Sequence, residues 1–308
     1  MVFKLRLVVI LLAMITTVSL YSQKKENILV PEVPYDSTAN YLGADPAQYT
    51  GQELWLKRMP EIQREMGYGN FILNYKKVAD INDSKNVYKC CDGYNSMYYE
   101  LQNKHFLVEQ VFKEKIKDKE EYFLKLKELS DGDIVYYHYD PESVYSFPFA
   151  VMGYIEKQKE LLKGKEFVFS DAVLLNAVDM ETLDPIKPVV GQKWVYEDVT
   201  VDNYHFEVSL IAKNSNGTKI AVPLADVYNE TLPRKVYTWK EANDMQQKFG
   251  IYNYKRILQQ KIASNMNKES LRLSWGEPLE VIKKGNTEEW VYTSGSVVFN
   301  GNSIAKIN

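Results

Sequence analysis

Tyr122–Phe–Leu–Lys–Leu–Lys127 decides the fold class. Tyr122, Leu124 and Leu126 fall on one side of an extended chain and Lys125 and Lys127 on the other. That period of two marks a strand with one dry face. Asp133–Tyr139 carries the same alternation: Ile134, Tyr136 and His138 share one face, and Val135, Tyr137 and Tyr139 the other. On either side, β-type runs recur at Asn70–Ala79, Val87–Cys91, Met97–Leu101, His105–Phe112, Lys165–Phe169 and Lys193–Val199. Tyr204–Lys213 and Thr218–Leu224, joined through Asn214–Ser–Asn–Gly217, spell a hairpin. Short strands separated by turns predict an antiparallel sandwich or small barrels over residues 48–235, with two β modules dividing near 160 as one arrangement.

Three six-residue stretches share a pattern of glycine, two polar residues and three apolar ones: Gly51–Leu56, Gly164–Phe169 and Gly191–Tyr196. The pattern reads as a glycine opening a strand, with duplication of a small β module as the alternative. Helices are expected at Gly153–Leu162 and at Trp239–Ala263, the latter with a break at Gly250. Residues 23–47, carrying Pro31, Pro34, Gly43 and Pro46, read as an irregular arm.

The chain has 308 residues, 45% hydrophobic and 26% charged, enough for one large or two modest domains and too apolar for chain-wide disorder. Residues 1–22 read as a secretory signal: Lys4 and Arg6 precede an apolar stretch from Leu7 to Leu20, and Ser22 closes it. That stretch is shorter than the roughly 18–20 residues a membrane-spanning helix needs, and no second apolar run follows. No cysteine lies near it to carry a lipid anchor. Without those two cations, 36 basic residues face 41 acidic ones, a formal charge of −5, so nothing in the balance points to nucleic acid. The expected product is a secreted or periplasmic chain with no transmembrane span. Cys90 and Cys91 are adjacent, where a bridge would close a tight ring, and they read as reduced residues packed in a strand.

Residues 264–308 have consistent local grammar. Asn267 caps a helix, and Met266 and Leu271 take the two positions of a hydrophobic staple. The helix runs to Trp275, Gly276 supplies a left-handed exit, and Pro278 stops it. Strands follow at Leu279–Ile282, Glu288–Tyr292, Ser296–Phe299 and Ser303–Ile307, with Asn300–Gly301 as a two-residue hairpin turn. Met266–Asn–Lys–Glu–Ser–Leu–Arg–Leu–Ser–Trp–Gly–Glu–Pro278, then Glu289–Trp290–Val–Tyr292 and Val298–Phe–Asn–Gly301, resemble the SmpA/OmlA-type domain of small outer-membrane assembly lipoproteins. The resemblance implies an α+β protein-interaction domain over residues 236–308 without catalytic residues. The whole is then an α+β chain: a β-rich antiparallel region, followed by a helix and an antiparallel meander.

Chemistry-bearing residues are few. His105, His138 and His205 all fall in expected strands, and none has a His or Cys partner at metal-ligand spacing. His138 lies two residues from Asp140, but no nucleophile elbow, phosphate loop or dinucleotide fingerprint accompanies it. No metal or cofactor is expected. The tyrosines could form an aromatic binding platform, with Tyr98, Tyr99, Tyr136, His138, Tyr139 and Tyr145 as candidates. Lys113–Glu120, alternating in sign, reads as a solvated loop. The expected function is a non-catalytic module binding an envelope protein or glycan. A secreted hydrolase acting on glycan or peptide is the alternative, since paired carboxylates need no local motif.

Overall fold

A computed structural model of the chain describes residues 27–80, 83–92, 94–116 and 118–308. The secretory-signal reading of residues 1–22 lies outside them. The fold is α+β and rich in antiparallel strands, arranged in several sheets that include a curled half-barrel. Among the described residues no helix is long and apolar enough to cross a membrane.

The first sheet runs in the spatial order Phe71–Ile72, Ile134–Tyr139, Lys119–Glu128, His105–Ile116, Glu53–Leu56, Phe149–Val151, with Ile28–Leu29 pairing beside Phe112. The alternation at 122–127 sets its inner face: Leu124 and Leu126 are buried against Val111 and Val108. Glu109 is an extra residue between those two valines, a bulge that lets both face inward although they are three apart. The opposite face is dry too, because Phe123 is buried with Phe112 and Tyr75.

The second sheet is ordered Lys219–Pro223, Val208–Asn214, Trp194–Val201, Glu166–Phe169, Val236–Thr238. Phe167, Phe169, Trp194 and Leu210 pack with helix Met152–Leu162 and with Trp55 of the first sheet. Leu54 and Leu56 face the first core, so alternation turns Trp55 toward the second sheet. On the other side, Val168 and Tyr237 pack with helix Trp239–Leu258 and the four-stranded meander of Glu280–Lys284, Thr287–Tyr292, Gly295–Asn300 and Ser303–Ile307. The helix Met152–Leu162 connects the first two sheets across residue 160, while Val236, the start of the expected C-terminal unit, pairs inside the second sheet.

The helix grammar appears as spelled. Asn267 Oδ1 accepts from Ser270 N, and the capped helix is Lys268–Trp275, with Met266 and Leu271 in one core. Gly276 has φ +85°, and a Cβ there would meet Leu232 O at 2.7 Å. Trp275 and Tyr292 pack edge to face, and Trp290 is buried on Phe299. Gly250 breaks the long helix with φ +74°. Gly51, Gly164 and Gly191 all have positive φ before their strands, which favours the strand-opening reading. Two of those strands, Glu166–Phe169 and Trp194–Val201, pair with each other in one sheet.

Several expectations are corrected. Met97–Leu101 contains a helical turn, Tyr98–Leu101, and Asn70–Ala79 contains only a two-residue strand before the 3-10 turn Tyr75–Asp80. There the Asn74 side chain accepts from Lys76 N and turns the chain. Lys113–Glu120 is no loop: outside Lys117 it forms the ends of the first sheet's long hairpin, where opposite charges such as Lys113 and Glu120 meet across the strands at 2.6 Å. The final hairpin turns on Gly301–Asn302, one residue beyond Asn300–Gly301. Cys90 and Cys91 are joined as a vicinal disulfide, not reduced.

Candidate functional site

The tyrosine platform does not assemble as expected. Tyr98 is buried and stacked on Tyr68, and Tyr139 is buried against Tyr49, its hydroxyl donating to Gly43 O. Tyr136 and His138 do share a face, but it packs: Tyr136 lies against Tyr75, and His138 stacks on Phe123 with Nε2 on Glu121 at 2.9 Å. Asp140 instead accepts from Glu142 N as a turn residue. Only Tyr99 and Tyr145 stand exposed, on separate elements. The motif residues Asn267, Leu271, Trp275, Gly276, Trp290 and Tyr292 serve the caps and core of the C-terminal unit, and Pro278 lies between its helix and the strand Glu280–Lys284.

The other two histidines come together in space. A cleft of about 740 Å³ opens between the first two sheets, lined by both His105 and His205. Its floor on the first sheet is Trp55, stacked on His105 with ring centroids 5.3 Å apart. The second sheet contributes Thr200, Val201 and Ala221, and the segment 178–183 contributes Val178, Met180 and Leu183. Leu183 is exposed with φ +63°, and Asn103, also on the wall, has φ +60°. Non-glycine residues in that region cost of order 1–3 kcal/mol and gather at functional sites.

The turn Asp202–Glu207 forms one rim. It links Trp194–Val201 to Val208–Asn214, and Asp202 N donates to Glu207 O while Phe206 N donates to Asp202 O. Asp202 is 4% exposed, and its carboxylate accepts from Tyr204 N at 3.0 Å and His205 N at 2.7 Å. His205 Nδ1 lies 2.6 Å from Asp202 Oδ2. Burial alone would raise the Asp202 pKa, but these hydrogen bonds outweigh it and hold the carboxyl below its ordinary value. His105 is anchored in parallel fashion, Nδ1 2.7 Å from Glu53 Oε1. In both rings Nε2 is left with no protein partner among the described residues. The tautomer and orientation of each imidazole are thus set from behind, as in sites where the second nitrogen meets a ligand.

Neither family models, curated proteins nor solved structures match this chain.

The cleft's chemistry must therefore be read from its own side chains. Among the described residues no group of three or more His, Cys, Asp and Glu is placed to hold a metal ion. The described lining includes no serine or cysteine, and Asp202 is its one carboxylate. Trp55, His105, Asp202, Tyr204 and His205 are not legible as a set in the sequence. One signal was legible: Asp202–Asn–Tyr–His205 spells an aspartate-headed turn. Placing Tyr204 and His205 in a strand hid that i,i+3 pairing, because the strand starts only at Val208.

Proposed function

We propose that this chain is exported to the bacterial cell envelope and there binds, without cleaving, a glycan strand in the inter-sheet cleft. The cleft itself carries the reading: Trp55 and the exposed Tyr204 stand among Asn103, Asn203 and two anchored imidazoles. A sugar ring presents an apolar face to aromatic rings and hydroxyls to amide and imidazole groups, and about 740 Å³ accommodates two or more sugar units. Binding is favoured over hydrolysis because Asp202 is committed to three hydrogen bonds and Glu53 to His105. Most glycoside hydrolysis uses two carboxyl groups free to act on the scissile bond. The apolar segment at 7–20 supports export, and the C-terminal resemblance to envelope assembly domains supports residence there.

The test is titration of the mature chain with chitohexaose, a neutral β-linked glycan, by calorimetry, with Trp55→Ala alongside. Saturable binding weakened at least about tenfold by the substitution is expected, since stacked aromatics act as binding hot spots. Absence of binding, or reducing ends appearing on prolonged incubation, contradicts the proposal; the second outcome favours a hydrolase.

A further inference from the structure

Beside the inter-sheet cleft lies a groove of about 710 Å³, and His205 lines both. It runs between Lys57–Pro60, the Phe206–Glu207 end of the Asp202 turn, and Val144–Pro148. Most polar side chains on its walls are already used. Lys57 pairs with Glu207 at 2.8 Å, Tyr41 Oη donates to Asp140 O, and Tyr68 Oη donates to Lys57 O. Asn40 bonds the main chain of Phe149 and Val151. Arg58 differs. It is half-buried, its one hydrogen bond runs from Nε to Tyr98 Oη at 3.4 Å, and no described carboxylate lies within 4.0 Å.

A partly desolvated guanidinium without a counter-ion is an incomplete pair, and its planar fork matches a carboxylate bidentately. We propose that Arg58 is an anion subsite continuous with the inter-sheet cleft, and that the glycan bound there carries carboxylates. The inference rests on the glycan-binding reading above and adds the charge class of the ligand. The neutral part of the strand lies over Trp55 and the imidazoles, and a carboxylate on a following sugar reaches Arg58 past His205. Tyr145, 97% exposed on the groove wall, offers a ring face beside that sugar. An acidic peptide would satisfy Arg58 but would leave the aromatic and amide groups of the joined cleft without matching rings and hydroxyls.

Two probes with related backbones separate these claims: chitohexaose, and peptide-free peptidoglycan strands of matching length, in which every second sugar bears a lactyl carboxylate. Both are titrated into the wild-type chain, Arg58→Gln, Arg58→Lys and Trp55→Ala, with thermal melting of each variant as a check on folding. The wild type is expected to prefer the acidic strand about tenfold, as charge-assisted hydrogen bonds are worth. The preference falls with added salt, shrinks in Arg58→Lys, and vanishes in Arg58→Gln. Equal affinity of the wild type for the two probes, or a preference surviving Arg58→Gln, overturns the anion subsite and leaves the cleft reading standing. Unchanged binding of both probes in Trp55→Ala overturns the cleft reading. Displacement of the acidic strand by hexaglutamate at equal concentration overturns the glycan in favour of a peptide. If neither probe binds the wild type, both proposals fall.

Discussion

His138 and His205 make the same kind of contact in different settings. His138 meets Glu121 across two neighbouring strands of the first sheet, and both side chains are about a quarter exposed, 26% and 28%. His205 meets Asp202 within a six-residue turn, and that carboxylate is 4% exposed and also holds two backbone amides. The first pair bridges two strands that their backbone ladder already joins. The second builds the turn that rims the cleft. A histidine beside a carboxylate is therefore weak evidence of function alone; the cavity it faces and the burial of its partner decide.

The largest effect that could break this contrast comes from Asp202→Ala. It leaves the part-buried backbone donors of Tyr204 and His205 and the His205 ring without their acceptor, and a loss of about 2 kcal/mol is expected by urea unfolding. A loss under about 0.5 kcal/mol would place Asp202 with ordinary surface residues. A smaller effect follows from acid. The Asp202 pKa is lowered in the folded state, so the unfolded chain binds the proton more readily. That stabilisation is complete above about pH 4 and is lost as pH falls through the lowered value. Comparing wild type with Asp202→Asn in urea from pH 6 to pH 2 should show the wild type's advantage shrinking below about pH 4. An advantage that grows on acidification would reverse the assignment. Smallest is Glu121→Gln, expected to cost about 1 kcal/mol or less by the same unfolding assay, because the pair is partly open to solvent and holds no backbone amide among the described residues. A cost equal to that of Asp202→Ala would erase the distinction between the two histidines.

Local rules carried the sequence reading a long way. The alternation at Tyr122–Lys127, the cap at Asn267, the break at Gly250 and the exit at Gly276 all concern contacts within a turn or a pleat, which residue type alone can spell. The bulge at Glu109 was not legible, because an extra residue is defined only against the partner strand Lys119–Glu128. Tyr98 and Tyr139 were misplaced on a surface for a related reason: an amphipathic aromatic reads alike in a core and on a platform until its neighbours are known. The cleft was hidden most completely. Trp55 and His105 come from one sheet and Asp202 and His205 from another, and only the packing of the second sheet across Trp55 unites them.

Hydrogen exchange of the chain from residue 23 onward, with and without saturating chitohexaose, tests the central claim most directly, since it reports where the ligand lies. Slowed exchange is predicted in peptides covering 53–56, 103–107 and 200–207, with the meander 280–307 unchanged. Protection confined to 280–307, or none at a concentration where calorimetry shows binding, would contradict the assignment of the inter-sheet cleft as the glycan site.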